Sequence, residues 1–326
     1  MSGRKLSAAR VRQMVKRQIP PRWGPAYVPA TLAVRGEAPG TSTVSQIPSA
    51  RLQRIQHALS KPERVGMALA GYNPDAWEWW EQHLLMLEPA DHPLFGHPRA
   101  AGLSLPTTGG TLTIAERLGL LARHPQLLEE IADPNGQGKL KVWMSIPWTG
   151  DILIFMTDAR GPYCVSWDIK KTVGAHGAPG PNSVGRLPSA SDERKARVRD
   201  SVYLEYMREL AIRVVRFAEE ELPAALVINL KRLALANAQP IDLAPQLQGD
   251  LLEAFRDVIA LGDAPSKVIA AYVRRGIPSS VSKRVLESAI YERSIRVDLF
   301  EPWSVDFPLP PERIDPLIEY AFLFKR

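Results

Sequence analysis

The stretch of sequence that decides the fold runs from residue 148 to residue 172 and reads WTGDILIFMTDARGPYCVSWDIKKT. Residues 152–156 form a nearly continuous apolar run, which is typical of a strand buried on both faces. Residues 157–162 contain the Asp, Gly and Pro of a turn, and residues 163–169 form a second run rich in β-forming side chains. The stretch therefore predicts two neighbouring strands joined by a turn.

Charged side chains stand at the open end of this hairpin. Asp151 begins the first strand, and Asp168 and Lys170 end the second. Because side chains alternate between the faces of a strand, Asp168 and Lys170 point the same way, and Trp167 points into a core. Carboxylate oxygens suit Mg²⁺, and a nearby lysine can orient or deprotonate a water and offset charge on a phosphate. The pattern is that of a metal-dependent nuclease, although an Asp after Gly and a D-x-K triplet also occur as ordinary turn and surface residues.

Composition narrows the class of protein. The chain has 326 residues, 45% of them hydrophobic, which predicts two domains with a sizeable core. A formal net charge of +6 favours a polyanionic partner. The single cysteine, Cys164, excludes an internal disulfide framework and a zinc site built from several cysteines. The sequence shows no signal peptide and no apolar run that could span a bilayer, so we expect a soluble cytoplasmic protein without a membrane partner.

The first segment, residues 1–48, is interpreted as a basic N-terminal arm followed by a loop. Its first 35 residues contain no acidic side chain, and residues 7–18 are compatible with a helix. Such an arm is typical of contacts to nucleic-acid phosphates, and a solvated tail is the alternative. The candidate nucleic-acid contacts are Arg4, Lys5, Arg10, Arg12, Lys16 and Arg17, together with Lys171 beside the hairpin site.

The second segment, residues 49–238, is predicted to be an α/β domain with a mixed central sheet. Glu78 and Glu81 lie beside the apolar stripe of one of its predicted helices. Taken alone, this pattern favours two solvated carboxylates on a helix surface. A long loop over residues 173–191 begins beside the hairpin site, where a lid, a DNA-contacting segment or a plain surface insertion is possible. Helices are predicted over residues 49–60, 76–87, 114–131, 191–210 and 219–238, and further strands over 139–146 and 211–217.

The third segment, residues 239–326, is predicted to be a small winged-helix-like domain. Helical patterns cover residues 251–261, 264–275 and 279–293, and residues 294–299 alternate like the strand of a wing. Such a domain can contact phosphates or serve as a platform for another protein.

Several short motifs together resemble the TnsA family, the restriction-endonuclease-like subunit of heteromeric DNA transposases. They are EQHLLMLEPAD at residues 81–91, TGD at 149–151, WDIK at 167–170, the helix–strand region from residue 203 to residue 223, and SIRVDLFEPW at 294–303. The chain departs from the family pattern at Gly150, where Pro is usual, and at His97, where Gln is usual.

The resemblance implies a restriction-endonuclease-like core and specific roles at the hairpin site. Glu81, Asp151 and Asp168 would hold Mg²⁺, with Mn²⁺ as a substitute, and Lys170 would position the attacking water. Glu78 is the alternative to Glu81, which the spacing to Asp91 favours. The family acts on double-stranded DNA, where it cuts the 5′ ends of a transposon. A DDE-type transposase subunit cuts the 3′ ends, and an AAA+ regulator binds the C-terminal domain in the bacterial cytoplasm.

Two other functions stay open. One is a free-standing restriction or repair nuclease with the same fold. The other is a DNA-binding adaptor whose nuclease-like core is inactive. Mg²⁺-dependent nicking, with and without a transposase partner, separates the three.

Overall fold

A four-stranded mixed sheet forms the centre of the molecule. The computed structural model describes residues 6–40, 42–133, 136, 138–179 and 189–326. In chain order the helices and strands are α1 (Ala8–Gln18), β1 (Ser45–Ser49), β2 (Arg54–Ala58), α2 (Lys61–Tyr72), β3 (Glu78–Leu84), α3 (Gly110–Arg117), β4 (Gln126–Ala132), β5 (Lys139–Ser145), β6 (Thr149–Asp158), β7 (Gly161–Lys170), α4 (Ala190–Glu209), β8 (Arg213–Ala218), α5 (Ala224–Asn237), α6 (Pro245–Ala260), α7 (Ser266–Val273), α8 (Ser279–Tyr291) and α9 (Pro316–Glu319).

The central sheet has the strand order β3-β6-β7-β8 and confirms the α/β fold class with a mixed sheet. Strands β6 and β7 form the predicted antiparallel hairpin, in which Ile152 pairs with Trp167. β7 and β8 are parallel, and α4 makes the crossover between them. Ile152 and Trp167 pack with α2 and α5 on one face, whereas Leu153 and Phe155 pack with α4 on the other. Both faces of the hairpin are therefore buried, which explains its continuous apolar run.

Two predicted helices are strands in the structure. Residues 49–60, predicted as a helix, lie in the hairpin of β1 and β2, and residues 76–87 contain the edge strand β3. Aromatic side chains favour strands, and every residue of β3 is buried, so its apolar positions serve two faces of a sheet. A short apolar run does not by itself distinguish a buried strand from a helix.

The helix predicted over residues 114–131 is also much shorter than expected. α3 ends at Arg117, and Gly119 follows with a φ of +69°, a left-handed conformation that breaks the helix. The rest of that segment forms β4, which pairs with β5 in a separate two-stranded ribbon. Strand β5 is thus where the sequence predicts it, but it lies outside the central sheet.

The N-terminal segment is part of the fold. α1 forms as predicted, with Ser7 as its cap. Gln18 accepts a hydrogen bond from the backbone of Leu84 at 2.9 Å, and the Tyr27 hydroxyl donates to the carbonyl of Glu81 at 2.6 Å. These contacts cover the edge strand β3, which would otherwise expose unpaired backbone groups. The described part of residues 1–48 is therefore a packed cover and not a free arm.

Most of the predicted phosphate contacts on α1 are occupied by carboxylates. Arg10 and Arg17 both bind Glu37, at 2.5 and 2.9 Å, and Arg12 binds Glu129 at 2.6 Å. Lys16 is exposed, whereas Arg4 and Lys5 lie outside the described residues. The structure thus contradicts a uniformly basic arm, because three of its arginines are matched by acids from later in the chain.

We expect the Glu37 ion pairs to contribute stability that depends on pH. Partial burial raises the pKa of Glu37, but hydrogen bonds from Arg17 and Arg10 outweigh burial and lower it to about 2. Because the folded-state pKa lies below the unfolded value, the contribution is complete above pH 4.5 and disappears as pH falls toward 2. Glu37→Gln should lower the free energy of unfolding by about 2–3 kcal/mol at pH 7 and by much less near pH 2.5. Urea unfolding of both proteins at the two pH values measures this, and an equal difference at both would contradict it.

The C-terminal segment contains the three predicted helices, α6, α7 and α8, but not the predicted wing. Residues 294–299 form no strand, and the side chain of Asp298 instead accepts a hydrogen bond from the backbone of Phe300 at 2.9 Å. The Tyr291 hydroxyl donates to the carbonyl of Ala68 in α2 at 2.9 Å, so the helices share a core with the central domain. Among the described residues no helix has the length and apolar character needed to cross a bilayer.

Candidate active site

Asp151, Asp168 and Lys170 meet at one end of the β6–β7 hairpin, as the sequence predicts. The Lys170 Nζ atom lies 2.8 Å from Asp151 Oδ2 and 2.5 Å from Asp168 Oδ1. The backbone N–H of Ile169 also donates to Asp151 Oδ2 at 2.8 Å. One ammonium therefore sits between two carboxylates that begin and end neighbouring strands.

Asp168 and Lys170 each stabilise the ionised form of the other. Burial raises the pKa of Asp168, but the charge of Lys170 and hydrogen bonds from Lys170 and His176 outweigh it and lower the pKa. Burial lowers the pKa of Lys170, and the charges of Asp151 and Asp168 more than offset this and raise it. Lys170 is therefore an ammonium ion at neutral pH in this arrangement, which suits it to electrostatic stabilisation and hydrogen-bond donation, not to proton abstraction.

Glu81, the glutamate expected at this site, lies on the other face of the sheet. Glu81 pairs with Ile152 across the antiparallel ladder and so shares its face, whereas Asp151 points to the opposite face. Arg54 binds the Glu81 carboxylate at 2.6 and 2.8 Å, and the backbone of His57 donates a third hydrogen bond at 3.0 Å. The expectation that Glu81 is borne on a helix is wrong, and its carboxylate is already neutralised inside the core.

Glu78 does not reach the site either. Its carboxylate accepts hydrogen bonds from the backbone of Gly24 at 2.5 Å and of Trp79 at 3.2 Å, and it lies 3.7 Å from Arg54. Both glutamates of β3 thus serve one buried ionic cluster around Arg54.

Glu63 is the glutamate that the structure places near Asp151. It sits in the first turn of α2, where its carboxylate accepts hydrogen bonds from the backbone of Leu59 and the amide of Gln82, both at 2.9 Å. Burial raises the pKa of Glu63, the charge of Asp151 raises it further, and the charge of Lys170 lowers it. The helix α2 and Glu63 are not among the sequence predictions, although Ser60 and Glu63 have the S-x-x-E spacing of a helix-capping box before an apolar run.

The hydrogen bond from Gln82 to Glu63 depends on an irregularity in β3. The ladder pairs Glu81 with Ile152 and His83 with Gly150, but it leaves out Gln82 and Asp151 between them. Gln82 has a φ of 50°, which a non-glycine residue rarely adopts within a strand. Such a local distortion re-aims a side chain and is common beside functional sites.

Gly150 lies against the buried side chain of His83. A Cβ atom at position 150 would lie 2.1 Å from His83 Cε1 and 2.4 Å from His83 Nε2. Any side chain at position 150, including the proline ring, would therefore displace the buried imidazole. Glycine at position 150 therefore leaves the space that the His83 imidazole fills.

The three site residues form the floor of an open cleft of about 810 Å³. Arg194, Lys195 and Arg199 of α4 contribute to its lining, and Arg123 and His124 contribute from the chain between α3 and β4. Arg199 donates to the carbonyl of Thr149 at 2.9 Å, whereas Arg123, Arg194 and Lys195 have no ion-pair partner in the described part of the chain. The cleft thus combines two aspartates with cations that line the same space and suit an anion. Lys171, a predicted contact, is exposed but is absent from the described cleft lining.

The oxygen donors at the floor fit a hard divalent cation. Asp151 and Asp168 offer carboxylates, and Mg²⁺ commonly takes one or two such ligands and keeps several waters. Glu63 is not among the described cleft-lining residues, but its pKa responds to the charge of Asp151. In the described ranges no three acidic, histidine or cysteine side chains form a ready-made cage, since Lys170 lies between the two aspartates. The residues therefore suit a cation that brings its own water shell and competes with the ammonium for the carboxylates.

No family model matches this chain, and no curated protein matches it in sequence.

Proposed function

We propose that this chain is a metal-dependent DNA endonuclease that hydrolyses phosphodiester bonds at the floor of the cleft. The observation that carries the proposal is the placement of the Lys170 ammonium between Asp151 and Asp168, at 2.8 and 2.5 Å. Two carboxylates and a lysine on an open cleft are the parts that phosphoryl hydrolysis uses.

Each residue of the floor has a distinct task in this reaction. Asp151 and Asp168, with Glu63, would hold Mg²⁺, which supplies Lewis-acid polarisation of the phosphate and a more acidic water. Lys170, charged at neutral pH, donates hydrogen bonds to a phosphate oxygen or to the attacking water and offsets developing negative charge. Gln82 holds the Glu63 carboxylate from behind through its 2.9 Å hydrogen bond.

The cations of the cleft support a nucleic-acid substrate. Arg194 and Lys195 stand on the first turns of α4, and Arg123 stands elsewhere on the lining. Phosphate contacts by unpaired arginine and lysine provide most of the affinity of proteins for DNA without reading its sequence. A nucleic acid that binds these cations would bring a phosphodiester over the carboxylate floor.

We further infer, from the resemblance to the TnsA family alone, that the chain acts as a subunit of a heteromeric transposase. It would cut the 5′ ends of the element while a DDE-type subunit cuts the 3′ ends, and residues 239–326 would bind an AAA+ regulator. Cleavage at defined ends that requires the partner subunit would support this role. Rapid cleavage of any duplex by the isolated chain would favour a free-standing nuclease.

The decisive experiment is a nicking assay on supercoiled plasmid with the purified chain, alone and with its transposase subunit. Nicking should require Mg²⁺ or Mn²⁺, stop with EDTA, and be lost in Asp151→Asn, which removes one carboxylate charge without removing volume. If metal-dependent nicking is absent under both conditions while the protein still binds DNA, the chain is a DNA-binding adaptor and the proposal is wrong.

We expect the cleft cations to set the salt dependence of DNA binding. Removing one cation that neutralises a DNA phosphate should flatten the slope of log affinity against log salt by about 0.9, so the double variant Arg194→Ala/Lys195→Ala should flatten it by about 1.8. The matched control is Arg256→Ala/Lys267→Ala, which removes the same two residue types from exposed local ion pairs on α6 and α7. Fluorescence anisotropy at several salt concentrations measures both slopes. Equal slopes in the two double variants would show that DNA does not occupy this cleft.

A further inference from the structure

His176 contacts the candidate metal site from outside the D-x-K motif. Its Nδ1 atom lies 2.8 Å from Asp168 Oδ2, the carboxylate oxygen that Lys170 does not bind. The His176 side chain is only 6% exposed, and its Nε2 atom is buried and has no partner among the described residues. The two oxygens of Asp168 are thus held by two different donors.

The chain that leads into His176 is anchored on Glu220. The backbone of Glu220 donates to the carbonyl of Lys171 at 3.2 Å, and the backbone of Val173 donates to the Glu220 carboxylate at 2.7 Å. Gly177 follows with a φ of +67°, and a Cβ atom there would lie 3.5 Å from Asp200 Oδ2. The loop predicted beside Lys170 therefore begins as an ordered turn that brings an imidazole back onto Asp168.

The hydrogen-bond chemistry fixes which nitrogen carries the proton. The ionised Asp168 carboxylate only accepts hydrogen bonds, so the ring nitrogen that faces it must be the donor. His176 therefore presents Nδ1–H to Asp168, and in the neutral imidazole Nε2 is left as an unprotonated acceptor. A histidine that donates to a carboxylate in this way fixes the orientation of that carboxylate.

We propose that His176 is a positioning residue that holds Asp168 in the orientation required for a divalent cation, an inference that rests on the proposed nuclease function. The Nδ1–H group fixes Oδ2, so Oδ1 is directed toward Lys170 and Asp151. Removal of a partner that orients a metal ligand lowers metal affinity or activity by about 10- to 100-fold. His176 touches no substrate in this scheme and acts only through Asp168.

Two isosteric substitutions separate the positioning role from simple filling of space. In His176→Asn the amide nitrogen can occupy the position of Nδ1 and still donate to Asp168. In His176→Gln the amide nitrogen falls near the position of Nε2, so the donor to Asp168 is removed while similar volume stays. His176→Ala removes both.

The experiment measures Mn²⁺ affinity by titration calorimetry without DNA, the Mg²⁺ concentration for half-maximal nicking, and the melting temperature in EDTA. The Ala and Gln variants should bind Mn²⁺ about 10- to 100-fold more weakly than wild type, and the Asn variant should stay within about threefold. If His176→Ala does not fold, the comparison of His176→Asn with His176→Gln alone tests the positioning role.

Wild-type Mn²⁺ affinity in all folded variants would overturn the inference. Equal weakening of Mn²⁺ binding in His176→Asn and His176→Gln would also overturn it, because the affinity would then not depend on a donor at the position of Nδ1. A wild-type chain that neither binds Mn²⁺ nor nicks DNA is a different result. It refutes the proposed function before any variant is compared.

Discussion

Replacement of Lys170 by alanine should reduce the rate of metal-dependent nicking by at least about 100-fold, the scale on which a positioned charged group contributes to catalysis. Lys170 is the only donor at the site that contacts both Asp151 and Asp168 among the described residues. Its replacement removes the positive charge that would meet a phosphate oxygen or the attacking water. Saturating Mg²⁺ should not restore the rate. The cation can neutralise Asp151 and Asp168 in place of Lys170, but it does not supply the hydrogen-bond donor that Lys170 offers to the phosphate or the water.

The same variant should also change the response of stability to metal. Without the ammonium, the carboxylates of Asp151 and Asp168 repel each other, so the melting temperature in EDTA should fall. Mg²⁺ relieves that repulsion and binds only the folded state, so its stabilising increment should be larger than in wild type. Lys267→Ala is the matched control, because Lys267 forms an exposed ion pair with Asp263 at 2.6 Å and is not among the described residues that line the cleft. A Lys170→Ala protein with wild-type nicking would remove Lys170 from the site.

The centre of the fold and half of the site could be predicted because local sequence determines them. In the hairpin, turn residues and two apolar runs occur within 25 residues, and strand alternation alone places Asp168 and Lys170 on one face. The pairing of β6 with β7 then brings Asp151 beside them. No long-range information is needed for these three residues.

The glutamate could not be predicted in the same way because its position depends on packing between distant elements. Residues 76–87 have apolar side chains at helical spacing, yet the run pairs with β6 and is buried on both faces as a strand. Because the segment forms a strand and not a helix, the Glu81 side chain points to the face of the sheet opposite Asp151. The charge effect of Asp151 on Glu63 arises from the packing of α2 on β6 and β7, and Gln82, which departs from regular strand geometry, donates a hydrogen bond to the Glu63 carboxylate.

The ion-pair partners of the basic N-terminal segment also depend on packing between distant parts of the chain. Its charge is visible in the sequence, but Glu37 and Glu129, which bind its arginines, are 20 residues or more away from them. Cations without an ion-pair partner in the described ranges are found instead on α4, where Arg194 and Lys195 lie among acidic neighbours and give no one-signed run. Net charge therefore indicated a polyanionic partner but not the surface that would bind it.

Glu81→Gln should destabilise the protein strongly and leave the chemistry of the folded fraction intact. The Glu81 side chain is fully buried and that of Arg54 is only 5% exposed, so the substitution leaves a buried guanidinium without its main counter-charge. Breaking such a pair from one side costs about 3–5 kcal/mol. Glu78, 3.7 Å from Arg54, retains part of the compensation, so we expect the lower end of that range. Urea unfolding measures the decrease, and adding Arg54→Met should recover part of it because the unpaired charge is then removed.

Glu63→Gln, the same chemical change in the other glutamate, should have the opposite outcome. Burial and the charge of Asp151 raise the pKa of Glu63 to about 7, so removing its charge relieves repulsion, and the amide oxygen can still accept the hydrogen bond from Gln82. Stability should therefore change by no more than about 1 kcal/mol, while nicking should fall by at least about 100-fold because a metal ligand is removed. If Glu81→Gln instead abolished nicking with an unchanged unfolding curve, Glu81 would regain the role that the family resemblance implies. Paired unfolding and nicking measurements on these two variants thus decide which glutamate belongs to the active site.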